Sequence, residues 1–155
     1  MENESAGAAQ LLEGADPDDI KALFAMGHEV FYTAGDLIFD VGDEAEGLYL
    51  ILDGEAQADT AGRFRRLTRG AIFGEIALLA QEPRLAAVWA IKPLHAVNVS
   101  GNDFRSFLLE RPQIALSMLR SLAHRLLAFE QHAGDDWIAS GVSHMDEYAM
   151  RRSDR

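Results

Sequence analysis

The segment GEIALLAQEPRLAA, Gly74 to Ala87, carries the residue types best suited to chemistry. Glu75 stands inside an apolar run, and Arg84 follows nine positions later, directly behind Pro83. A buried acid and base are rarely a net stabiliser compared with apolar packing, so a chain that keeps both needs a further reason. Gly74 lets backbone approach a ligand closely. Residues Glu75 to Leu79 can form one short helical turn whose amides point at an anion. Pro83 stiffens the approach to Arg84, whose planar fork matches two phosphate oxygens. The Glu75 carboxylate accepts from donors such as a sugar hydroxyl. The segment therefore suits one phosphate, one ribose hydroxyl and a nearby apolar wall.

The elements that must position this segment are legible on both sides of it. Asp16 is a helix cap, Pro17 a first helical residue and Gly27 a stop, which predicts a short helix with Ile20, Leu23 and Phe24 on one face. From His28 to Val99 the period becomes two. HEVFYTAGDLIFDVGD reads as two short strands broken at Ala34-Gly35. EGLYLILDGEAQADT sets Leu48, Leu50 and Leu52 against Tyr49 and Ile51, with a bend at Gly54. Thr60-Ala61-Gly62 turns into FRRLT, and Lys92-Pro93 divides AAVWAI from LHAVNV. Many short strands with regular turn signals predict a mostly β fold, an antiparallel β-roll or jelly roll. After Gly101 the period returns to 3.6. Asn102 is read as the cap of a short helix with Phe104, Phe107 and Leu108 inward. Pro112 opens a longer one with an apolar stripe of Ala115, Met118, Leu119, Leu122, Leu126 and Phe129.

These elements divide the chain into a flexible tail at 1–14, one domain at 15–132 and a tail at 133–155 that is a lid or short helix. The 155 residues suffice for one core, and the absence of cysteine excludes disulfides and thiolate chemistry. The N-terminus MENESAGAAQ is no secretory signal, and the longest apolar runs are far too short for a membrane span. A cytoplasmic protein is expected. Fourteen basic against twenty-five acidic side chains, a net charge of −11, oppose binding to nucleic acid and to membrane surfaces. RFRRLTR, at 63–69, is the local exception, either an anion-binding patch or the wet face of a strand. The five histidines are scattered without an HxH pair, and no serine occupies a nucleophile elbow. No metal site, no catalytic residue and no enzyme activity are expected.

The glycine-glutamate opening and proline-arginine-x-alanine close of GEIALLAQEPRLAA resemble the phosphate-binding cassette of cyclic-nucleotide-binding domains. AGDLIFDVGDEAEGLYLILDGEA resembles the first strands of that family, and the helix at 112–132 its C-terminal helix, so the resemblance covers about residues 17–132. It implies a catabolite-activator-like sensor without the helix-turn-helix. Glu75 would accept from the ribose 2′-hydroxyl, Arg84 would pair with the cyclic phosphate, and amides around Ile76, Ala77 and Leu85 would complete the cradle that Gly74 admits. Arg125, Phe129 or Trp137 would close over the base. Where some members carry Thr or Ser after the arginine, Leu85 has no hydroxyl for a guanine amino group, which favours cAMP over cGMP.

About 23 residues follow the long helix without resembling a recognition helix, so no DNA binding by this chain alone is expected. The chain reads as a freestanding regulatory sensor, with a homodimer or an effector protein meeting it through helix 112–132. The alternative is a ligand-free jelly-roll interaction module in which Glu75 and Arg84 pair with each other.

Overall fold

The computed structural model describes residues 10–12 and 15–132. A helix, α1 (Pro17–Ala25), starts as its sequence requires: the Asp16 side chain accepts from the Asp18 amide at 2.9 Å, and Pro17 opens the first turn. Leu23 and Phe24 are its buried residues. Ahead of it, Gln10–Leu12 forms a 3-10 turn, and Leu11 and Leu12 are buried. These three residues lie within the segment expected as a flexible tail, 1–14. Burial of these two leucines contributes roughly 1.5–3 kcal/mol each toward holding the turn.

Eight strands follow: β1 (His28–Tyr32), β2 (Leu37–Phe39), β3 (Gly47–Asp53), β4 (Ala56–Thr60), β5 (Arg63–Leu67), β6 (Ile72–Phe73), β7 (Ala87–Ala90) and β8 (Leu94–Ser100). They pair antiparallel in two four-stranded sheets, ordered β1-β8-β3-β6 and β2-β7-β4-β5. The β4–β5 hairpin turns on Ala61 (φ 51°) and Gly62 (φ 83°), the two positive angles that a tight two-residue turn demands. A short helix, α2 (Glu75–Ala80), lies between β6 and β7; α3 (Gly101–Glu110) and α4 (Pro112–His132) come after β8. The chain is thus the expected antiparallel β-roll with flanking helices.

The alternation along β3 has a different meaning from the ordinary apolar-in, polar-out pattern. Register pairs Leu48 with Val99 and Leu50 with Val97 on one face, and Tyr49 with Asn98 and Ile51 with Ala96 on the other. α1 and α3 pack against β8, and α2 and α3 against β3. Ile51 and Tyr49 instead join the interior cluster built on Phe39, Ala56, Ala58, Leu67, Phe73 and Val88. Both faces of β3 are covered, so both are apolar.

The cap of α3 is Ser100, whose hydroxyl accepts from the Asp103 amide at 3.2 Å, and Asn102 lies inside the helix. Serine wins because β8 ends there in extended conformation, as a cap requires. Phe104 and Phe107 are buried as expected, while Leu108 is half-buried. On α4, Ile114 and Met118 are the buried residues, and Ile114 was absent from the expected stripe. The chain divides after Met118 into two compact units, and α4 runs through the boundary. In the second unit Leu119, Leu126 and Phe129 are exposed.

Candidate functional site

The backbone clamps the segment at both ends before any side chain acts. At its start Gly74 takes φ 90° and caps α2, which places Glu75 in the first helical turn. At its end Arg84 is fixed by an acidic loop. The Arg84 amide donates to the Asp43 carbonyl and the Gly42 amide to the Arg84 carbonyl, both at 2.8 Å. Asp40 and Asp43 hold that loop through the bond from the Asp40 amide to Asp43 Oδ2, also 2.8 Å. α2 was expected as one short turn, and its six residues form it.

Glu75 and Arg84 are the only buried charged side chains among the described residues, 4% and 3% exposed. Arg84 Nη1 donates to the Gly74 carbonyl and Nη2 to the Gly47 carbonyl. Its guanidinium lies 4.1 Å from the centroid of the Phe39 ring, a cation–π contact. Nε has no hydrogen-bond partner. Burial lowers the Arg84 pKa from its ordinary value, and Tyr49, Glu75, Asp43 and Glu46 oppose that shift. A guanidinium starts so high that it keeps its charge here. The result is a fixed cation aimed at an aromatic interior. Tyr49 stacks on Phe73 with centroids 5.0 Å apart, and Phe39 tilts against both.

The structure brings Gly74, Glu75, Ile76, Ala77, Arg84 and Leu85 into one short stretch around α2. Ala77 is buried, Ile76 is exposed, and Leu85 is 70% exposed. Arg125 and Phe129 belong to the outer turns of α4, within the second compact unit. Trp137 lies outside the described residues. A cavity of about 1080 Å³ borders the segment, with Leu78, Leu79, Pro83, Phe104, Leu108 and Leu109 on its walls, but it is lined by neither Glu75 nor Arg84. Proximity to charge, rather than size of cavity, therefore selects the site. Sequence reasoning missed the Gly47 carbonyl and the Phe39–Tyr49–Phe73 trio. The period-two phase of β3 carries a signal for Tyr49; nothing local points to Gly47, 37 positions from the arginine it accepts from.

Among the described residues no group of three or more His, Asp or Glu side chains is placed to hold a metal. Nor is any helix among them long and apolar enough to cross a membrane.

The described residues thus form a helix-flanked antiparallel roll, with a short helix between its sixth and seventh strands beside a buried acid and base. The family model of the cyclic nucleotide-binding domain matches residues 29–111, and the chain belongs to that family. It is 28% identical over 139 residues to the CRP-like cAMP-activated global transcriptional regulator of Mycobacterium tuberculosis, across 86% of this chain and 62% of that protein. The chain thus spans less than two thirds of the length of that relative. In fold it is similar to the Thermus thermophilus catabolite activator protein, with a TM-score of 0.68 at 24% identity over 84% of this chain and 63% of that one. The N-terminal domain of a transcriptional regulator from Streptomyces coelicolor is similar at a TM-score of 0.63 and 27% identity, over 79% and 91% of the two chains.

Proposed function

We propose that this chain is a regulatory sensor that binds a cyclic nucleotide through the 74–85 segment. The observation that carries the reading is a permanently charged arginine, 3% exposed, held beside a buried glutamate by a loop, a helix start and a strand. In this reading Arg84 pairs with the cyclic phosphate and Glu75 accepts from the ribose 2′-hydroxyl. The amides of Ile76, Ala77 and Leu85 complete the cradle. Leu85 offers no hydroxyl to a guanine amino group, a difference of about 1 kcal/mol toward cAMP. Closure over the base, by Arg125, Phe129 or Trp137, repositions helix α4 and passes the signal to a second copy or an effector. Such a switch requires different affinities for two states of the chain. The chain is read as non-enzymatic, cytoplasmic and without DNA binding of its own.

Isothermal titration of the chain with cAMP and cGMP, beside Arg84→Ala, tests the reading. Micromolar or tighter binding that collapses in the variant supports it. Amide hydrogen exchange tests the switch: equal protection of α4 with and without bound nucleotide removes the repositioning step.

One observation favours the second reading, a ligand-free interaction module. Both terminal nitrogens of Arg84 already donate to carbonyls, and the Phe39 ring covers its guanidinium. Titration without heat from either nucleotide, on folded protein, decides for that module.

A further inference from the structure

One face of the roll carries apolar side chains where water should meet polar ones. In the β2-β7-β4-β5 sheet Leu37 lies opposite Trp89, Trp89 opposite Gln57 and Gln57 opposite Arg66. Directly opposed residues share a face, so these four make one row across all four strands. Their strand neighbours Val88, Ala56, Ala58 and Leu67 are buried in the interior cluster, and alternation therefore turns the row outward. Phe64, next to Arg66 but one on this face, meets the Trp89 ring edge-on with centroids 6.5 Å apart. An antiparallel sheet with one solvated face normally presents polar residues there. Here Phe64 is 60% and Leu37 54% exposed, and Trp89 is half-buried. Helices α1, α2 and α3 pack on β3 and β8, in the other sheet.

Charge divides across the same sheet. One edge is β5, which with its flanks carries the exposed Arg63, Arg66 and Arg69. The other edge is β2, flanked by the exposed acids Asp36, Asp40 and Glu44. Register sets the two charge groups level. The chain leaves β2 toward Asp40 at the end of the sheet where the β4–β5 hairpin turns into Arg63. Asp36 enters β2 at the opposite end, level with Ala90, Ala56 and Leu67, where β5 runs out toward Arg69. Among the described residues neither Arg63 nor Arg69, nor any of those three acids, makes an ion pair.

A face with one basic and one acidic edge is complementary to itself. Turned about a two-fold axis parallel to the strands, a second copy sets its β2 edge over the β5 edge of the first, and the reverse. An axis across the strands would set β5 on β5, cation on cation. We propose that this outer face is a self-association surface that closes an isologous dimer about the parallel axis, sheet on sheet about 10 Å apart. Trp89, Phe64 and Leu37 fill its centre, and the arginines and acids form its rim, the composition that specific interfaces favour. The surface is distinct from helix α4, and the inference does not depend on nucleotide binding.

The test is sedimentation equilibrium of the full chain beside three variants, each checked for an unchanged circular dichroism spectrum. One reverses the basic edge (Arg63→Glu with Arg66→Glu), one the acidic edge (Asp40→Lys with Glu44→Lys), and Phe64→Ser removes an apolar contact. The parent chain is expected to dimerise, and each edge reversal alone to weaken the dimer about tenfold or more. A one-to-one mixture of the two reversed chains should restore it, because in the mixed pair every basic edge again faces an acidic one. Phe64→Ser should weaken the parent dimer without any change of charge. A monomeric parent chain overturns the inference, and so does a dimer that all three variants leave intact, which assigns the seam to another surface such as α4. Edge reversals that each weaken the dimer but do not rescue one another overturn the face-to-face arrangement.

Discussion

Arg84 and the arginines of β5 use one side chain in opposite ways. Arg84 is enclosed by the Gly74 and Gly47 carbonyls and by the Phe39 ring, on a segment pinned through its own backbone to the Asp43 loop. On β5, Arg63 and Arg66 stand in solvent on an edge strand, and their one ion pair is the 3.6 Å contact of Arg66 with Glu55. The difference lies in convergence. A loop, a helix start and a strand present acceptors to Arg84 at once, whereas an edge strand presents only water to most of its charges. Edge strands gain from that exposure, because charge discourages pairing with another chain. Arg65, half-buried and opposite the interior Ala58, stands between the two cases: it has the strand of one and the interior of the other.

Four substitutions sharpen the contrast, taken from the largest expected effect downward. Arg84→Ala leaves two inward carbonyls without their donor and should cost about 2–4 kcal/mol in urea denaturation, apart from its effect on nucleotide binding. Equal stability of variant and parent would mean that Arg84 serves the ligand alone. Gly74→Ala forces a side chain onto φ 90° and brings its Cβ to 2.9 Å from Arg84 Nη1. A loss of roughly 1–2 kcal/mol is expected, together with weaker cAMP titration because the guanidinium must move.

Tyr32 probes the same interior by pH. Burial, then its hydrogen-bonded neighbour Tyr49, pushes its pKa up to about 12. The neutral phenol is thus favoured in the folded chain. Its contribution is complete below pH 10, the ordinary value, and is lost as pH rises toward 12. Thermal midpoints measured between pH 9 and 12 should fall less steeply in Tyr32→Phe than in the parent chain. Smallest of all, Arg66→Ala removes one exposed ion pair and should change stability by less than about 0.5 kcal/mol. A cost as large as that of Arg84→Ala would erase the distinction between the two regions.

The sequence by itself determined a good part of this protein, because much of its information is local. Asp16-Pro17 set the start of α1, Ala61-Gly62 the β4–β5 hairpin and Lys92-Pro93 the break before β8, each through backbone angles or caps that a few adjacent residues dictate. The short helix after Gly74, the glutamate that opens it and the arginine beyond its end were legible for the same reason. Only the tertiary structure decided what depends on residues far apart in the chain. β6 has two residues and no periodicity; it exists because β3 offers an edge to pair with. Leu11 and Leu12 are held by burial rather than by propensity, and Ser100 rather than Asn102 caps α3 because β8 stops where it does. That Arg84 would donate to Gly47, and that Arg65 would turn inward beside Ala58, are matters of register between strands, and register is a property of the assembled sheets.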